Sequence, residues 1–207
     1  MKYLGSSTIE TDRLVLKAQT MDEQYYLWKL LMTPEVNKYF LTVPQKFREK
    51  LLDWNIQKEY YEKDMKHAND KDVFRWSVFL KETGECIGRF SCHERNVEDD
   101  AVNNPSVRGV GWLIDPKYQG QGYATEAAKG MLDYMFFKCD IKEIITGAAI
   151  VNRPFWRIME KLGFERMNRT RMIQYTFVDE LVESFEYILT KEKYLELNEE
   201  KNIKRNK

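Results

Sequence analysis

VRGVGWLIDPKYQGQGYATEAA, residues 107–128, runs from an apolar segment through a glycine-containing loop straight into a helix start. Val107 to Ile114 reads as a strand, and Asp115-Pro116 ends it as a turn pair does. From Ala124 onward, Ala127, Ala128, Met131, Leu132, Met135 and Phe136 recur at helical steps, with Glu126, Lys129 and Asp133 opposite. A helix start carries unpaired N–H groups and the positive end of the macrodipole, and glycine lets a phosphate approach the backbone without interference from a Cβ. Gln119, Gly120, Gln121, Gly122, Tyr123 and Ala124 therefore form a candidate phosphate cradle, although the same glycines also suit a plain strand-to-helix turn. The loop is not a Walker A, since no Gly-Lys-Ser/Thr follows, and it lacks the three-glycine dinucleotide fingerprint.

Working outward, Ile144 to Val151 is apolar and reads as a buried strand. The resulting strand-helix-strand crossover implies a parallel pair. Pro154 to Leu162 reads as a helix with Asn152 or Arg153 at its cap and Gly163 just past its end. Alternation at Ile173, Tyr175 and Phe177, and again at Phe185, Tyr187 and Leu189, predicts two closing strands. Upstream, Arg13 to Ala18 alternates as a half-buried strand, and Thr20 with Glu23 makes a capping-box pattern ahead of Tyr26, Leu27, Leu30 and Leu31. Thr33-Pro34 reads as a stop and restart. Lys46 to Met65 then presents Phe47, Leu51, Trp54, Tyr61 and Met65 on one face of a long helix. Phe74 to Leu80 and Cys86 to Glu94 form a hairpin. Arg95 to Pro105, bearing Glu98, Asp99 and Asp100, is a polar loop.

At 207 residues with 43% hydrophobic content, the chain can bury one sizeable core, so a single domain over 1–197 with a charged, frayed tail over 198–207 is expected. Lys+Arg and Asp+Glu are 33 each, which gives no overall pull toward nucleic acid or an anionic membrane, and neither partner is expected. Cys86, Cys92 and Cys139 are odd in number and lack metal-ligand spacing, and only His67 and His93 could add to them. No disulfide framework and no metal site are expected. The N-terminus lacks the apolar core of a signal peptide and no apolar run reaches spanning length, so a cytoplasmic protein is expected.

The chain resembles the GNAT N-acetyltransferases, whose loop Gln/Arg-x-x-Gly-x-Gly/Ala has its counterpart in Gln119, Gly122 and Ala124. The likeness is closer to the RimJ/RimL branch, through WLIDPKYQGQGYATEA at 112–127, Asn152, MEKLGF at 159–164 and the opening Glu10 to Leu16. That resemblance implies a mixed α/β fold with a central, mostly antiparallel sheet of about seven strands. One parallel pair splays apart, and helices flank the sheet. It implies acetyl-CoA as cosubstrate without a metal, a primary amine acceptor that is a protein N-terminus or a small molecule, and room for a homodimer. Backbone groups at Trp112 and Ile114 would pair with the pantetheine arm, Gln121 to Thr125 would hold the pyrophosphate, and the Trp112 N–H would face the thioester carbonyl as a one-donor oxyanion site, with Leu113, Gln119 and Gly120 also counted as cofactor-binding. Asn152 and Phe155 would line the pantetheine arm. Asn152 is equally suited to an N-cap, and Arg153 and Arg157 are either outer-phosphate contacts or a solvated face.

Acid/base residues are where the chain departs from the resemblance. The usual Tyr position is Met159, the usual Ser position of the branch is Phe155, and a strand glutamate used elsewhere in the family is replaced by Arg108. Remaining carboxylates near the expected acceptor groove are Glu94, Glu98, Asp99 and Asp100, with His93 beside them. Glu94, at a strand end, is the candidate that could relay an amine proton through water. Two other readings stay open: a CoA-binding regulatory or scaffold protein with weak catalysis, and a nucleotide-binding domain using the same loop.

Overall fold

A computed structural model of the chain describes residues 1–94 and 104–205. Glu98, Asp99 and Asp100 lie outside the described residues. Alternating apolar and polar residues build the first strands, β1 (Ile9–Glu10) and β2 (Leu14–Ala18), in which Leu14 and Leu16 are fully buried. Helix α1 (Met21–Leu31) starts at the capping box of Thr20 and Glu23, and α2 (Pro34–Asn37) restarts at the proline, both as the sequence implies. The segment expected to be one long helix is broken. A 3-10 turn at Gln45–Phe47 leads into α3 (Arg48–Leu52), and α4 (Trp54–Asp64) starts afresh. Asp53 causes the break. Its backbone is extended, and its carboxylate accepts from the Asn55 N–H at 2.8 Å, an N-cap in the middle of an apolar stripe. Trp54 then packs with Tyr25, Trp28 and Tyr61, while Phe47 stays exposed.

The hairpin of β3 (Phe74–Leu80) and β4 (Cys86–Glu94) precedes β5 (Val107–Ile114), α5 (Tyr123–Asp133) with its π-helical turn Tyr134–Lys138, and β6 (Glu143–Ala149). Helix α6 (Arg153–Leu162), β7 (Glu165–Gln174), β8 (Leu181–Thr190) and α7 (Lys191–Arg205) complete the chain. One mixed sheet runs β1-β2-β3-β4-β5-β6-β8-β7, eight strands where about seven were expected; the short β1 accounts for the difference. Its parallel pair is β5 with β6, and every other neighbouring pair is antiparallel.

Two expectations at the C-terminal end change. The strand read from Ile173, Tyr175 and Phe177 ends at Gln174. Thr176 turns out of the sheet, donating its N–H to Leu41 O at 2.8 Å and its hydroxyl to Val43 O at 2.7 Å. Most of β7 lies on an exposed edge and is polar, so it carries little alternation to read. The tail expected to fray is helical to Arg205. Tyr194, 3% exposed, anchors α7 by packing on Phe136 and donating to Asp133 at 2.8 Å, and the Glu, Lys and Leu content favours the helix. The main core lies on the α5 side of the sheet, around Trp76, Phe90, Met131, Phe136 and Tyr187. A smaller cluster of Leu30, Leu31 and Leu113 lies under α1.

Candidate active site

The parallel contact between β5 and β6 is short: Val107 faces Glu143 and Arg108 faces Ile144, and beyond them the strands diverge. Thr146 Oγ1 reaches across the start of the gap to Val110 O at 2.9 Å, in a buried hydrogen bond. On the far edge, the Asp115 N–H donates to Ile87 O of the β4 side at 2.8 Å. Backbone groups alternate sides along a strand, so the N–H and C=O of Trp112 and the N–H of Ile114 face the gap. By the same alternation the Leu113 backbone faces β4, and its side chain is buried against Leu30 and Leu31. An extended arm entering the gap would thus find the edge of β5 at Trp112 and Ile114 rather than at Leu113.

The gap opens onto the loop and the N-terminus of α5. Gly120 (φ 77°) and Gly122 (φ 84°) are both left-handed, a conformation open to glycine at no steric cost, and Gly122 is the N-cap of α5 without a side-chain cap. Gln119 closes the loop from behind, its amide donating to Ile114 O at 2.9 Å. Gln121 turns away: its amide points to Lys117 O at 3.4 Å, and its carbonyl accepts from Arg13 Nη1 at 3.0 Å. Arg13 lies over the Tyr123 ring at 4.3 Å and ion-pairs through Nε with Glu126 at 2.7 Å. That strap was not read from sequence, since no spacing rule links residues 13 and 126.

A cleft of about 1100 Å³ joins these parts. Trp112, Leu113, Ile114, Gln119, Gly120, Gly122, Tyr123, Ala124, Thr125, Asn152 and Phe155 line it, as does Glu94; Gln121 does not. Asn152 makes no capping hydrogen bond, so the N-cap role proposed for its side chain is absent. Phe155 stacks on Trp112 at 4.3 Å, and Trp112 on Phe90 at 5.5 Å, so three rings brace α6 against the strand that edges the gap. Arg157 and Lys161, one turn apart on α6, also line the cleft, whereas Arg153 does not.

The family model described as an acetyltransferase (GNAT) domain matches residues 13–165. The chain belongs to the GNAT acetyltransferase family. Among the relatives of this GNAT chain is YnaD, an uncharacterized N-acetyltransferase of Bacillus subtilis. It is 40% identical over 57 residues, covering 28% of this chain and 34% of YnaD, so that match spans about a third of the relative's length. YkkB of Bacillus subtilis is 27% identical over 161 residues, 77% of this chain and 86% of YkkB. The spermidine N-acetyltransferase of Vibrio cholerae, solved with CoA and spermine, superposes with a TM-score of 0.70 at 20% identity, over 88% of this chain and 98% of that one. At that identity the likeness establishes the GNAT fold.

Within this GNAT site the usual acid/base positions are occupied by side chains that do not titrate. Met159 is fully buried in the main core, and Phe155 belongs to the ring stack. Glu94 lines the cleft, but its carboxylate is 3.4 Å from Arg108 Nη1, directly opposite in register, so the ion pair competes for the oxygen a base would use. Arg108 is 1% exposed and held by Pro105 O at 3.1 Å and by Met1 Sδ at 3.3 Å. His93 lines the cleft and lies over Gly109, where its ring leaves no room for a Cβ. Tyr175 sits in the cleft wall, its hydroxyl 3.1 Å from Ser184 Oγ, and burial raises its pKa. Among the described residues no group of three or more His, Cys, Asp or Glu could hold a metal, and no helix is long and apolar enough to cross a membrane.

Proposed function

We propose that the chain is an acetyl-CoA-dependent N-acetyltransferase of the RimJ/RimL branch, acting on a primary amine. The observation that carries this reading is the unpaired edge of β5 at Trp112 and Ile114 opening directly onto the left-handed glycine loop at the α5 N-terminus. An extended thiol arm fits the first and a diphosphate fits the second. In the cradle, the loop N–H groups and the α5 dipole would take the diphosphate, with Arg157 and Lys161 beside it. Asn152 is left with its amide available to the arm. The Trp112 N–H would polarise the thioester carbonyl, which strengthens as charge develops on the oxygen. The neutral amine then attacks the acetyl carbon, the C–S bond breaks, and the thiolate takes up a proton as the new amide nitrogen releases one. Neither Met159 nor Phe155 titrates, so these protons travel through water, with Glu94 as the carboxylate able to relay them. Structural neighbours acting on ribosomal proteins and on spermidine support both acceptor classes.

Full burial of Met159 also favours a second reading, a CoA-binding protein without transfer. An acetyl-CoA turnover screen over small amines, dipeptides and ribosomal proteins separates the two. Thiol release with acetylated amine supports the transferase, and tight CoA binding with no transfer to any acceptor supports the alternative.

A further inference from the structure

The sheet face turned away from α5 carries a second set of residues that binding of the thiol arm does not use. Register places Ser91 opposite Gly111, Gly147 opposite Glu186, and Arg171 opposite Ser184, and all of these line the cleft. Leu113, two residues after Gly111, packs under α1, which fixes this as the face away from α5. The floor is therefore bare backbone at Gly111 and Gly147. Neither glycine has a positive φ, so neither is required by its backbone conformation. A Cβ would meet nothing nearer than Ser91 Oγ at 3.7 Å or Phe185 O at 3.6 Å, so neither is required by packing. Glycine inside a strand weakens it and often marks a close approach by a ligand.

Beside this floor, Glu186 is 3% exposed and paired with Arg169 Nε at 2.5 Å and Arg171 Nε at 3.1 Å. Two guanidinium groups against one carboxylate leave positive charge on that wall. Arg171 engages Glu186 through Nε, which orients the guanidinium, and Arg171 itself lines the cleft. On the other side of the glycine floor, in strand order, β4 carries Glu94 into the same cleft.

We propose that the acceptor is a small amine that also bears a carboxylate, with that carboxylate bound by Arg171. Glu186 holds the guanidinium in place, and the body of the acceptor lies over Gly111 and Gly147. Guanidinium and carboxylate match in a planar, two-bond geometry that is both strong and selective. The carboxylate takes no part in the transfer: the C–S bond breaks and the N–C bond forms as above. This inference rests on the acetyl-transfer reading and narrows its acceptor.

The test follows thiol release from acetyl-CoA with L-α-amino acids, β-alanine and 4-aminobutyrate, each beside its own carboxamide, while calorimetry follows CoA binding. For the best acceptor the acid should exceed its carboxamide at least tenfold in kcat/KM, and Arg171→Gln should bring that ratio close to one. Gly147→Ala, which the fold has room for, should raise the acceptor KM several-fold without changing the CoA Kd. Equal use of acid and carboxamide, preference for amines without a carboxylate, or a ratio that survives Arg171→Gln would overturn the carboxylate site and leave acetyl transfer standing. A protein that binds CoA yet turns over none of the panel overturns it as well. A protein that does not bind CoA overturns both this inference and the reading beneath it.

Discussion

Glu126 ties together two segments that are far apart in sequence. Its carboxylate accepts from Thr11 Oγ1 at 2.6 Å, the Arg13 N–H at 2.8 Å and Arg13 Nε at 2.7 Å, and Arg13 continues to the Gln121 carbonyl. The strap holds the glycine loop from outside. Nothing local in the sequence points to this strap, because a carboxylate in the first turn of a helix is sufficiently explained by the helix dipole. Burial works to raise its pKa, but the hydrogen bonds from Thr11 and Arg13 and the Arg13 charge together hold it below its ordinary 4.5. A carboxylate with a depressed folded pKa contributes stability above its unfolded value and loses it as pH falls through the folded one. Glu126→Gln should therefore cost about 1 kcal/mol at pH 7, a figure reduced by the half-exposed Arg13, and the gap should close in acid, as pH falls through the depressed folded pKa. Urea titrations at neutral pH and in acid check this; an equal gap at both would rule out the ionised carboxylate as the cause. At Gly122 the left-handed φ of 84° means that Gly122→Ala should cost about 1 kcal/mol in strain before any phosphate is considered. Denaturation of the unliganded protein measures that strain.

At the scale of elements, legibility followed hydrophobic alternation and caps. The strand at 107–114 has the bounds read from sequence, and the capping box at Thr20 and Glu23 is formed with both of its hydrogen bonds. The break at Asp53 was missed because the apolar stripe runs through it, although an Asp followed by helix-forming residues is a cap signal. Asp53→Ala should lower stability by about 1 kcal/mol and leave CoA affinity unchanged, as thermal melts and calorimetry would report. Packing also decides what a tyrosine at 159 could do. Met159 is fully buried in the main core, so Met159→Tyr should overpack it at a cost of about 1–3 kcal/mol, with no gain in turnover. Raised activity in that variant would mean that α6 rotates to present the hydroxyl to the cleft.

At the scale of the whole molecule, the single parallel contact follows from one crossover that the sequence makes visible. The donor half of the candidate site was equally legible. A glycine loop, a strand edge and a helix start are adjacent in the chain and need no long-range contact to be recognised. The acceptor half was not legible, because it is assembled across β4, β6, β7 and β8 from residues such as Glu186 and Arg171. Their meaning depends on register, which no local pattern in a polar edge strand encodes. With non-titrating Met159 and Phe155 at the usual acid/base positions, the turnover rate should climb with pH toward the pKa of the acceptor itself, ~8 for an α-amine and ~10 for a lysine-like amine. The most direct test of acetyl transfer in the splayed cleft is thiol release from acetyl-CoA as a function of amine concentration and pH, with the product weighed by mass spectrometry. Acetyl transfer predicts one thiol per acetylated amine and a rate that climbs into the alkaline range, and thiol release without an acetylated amine would contradict it.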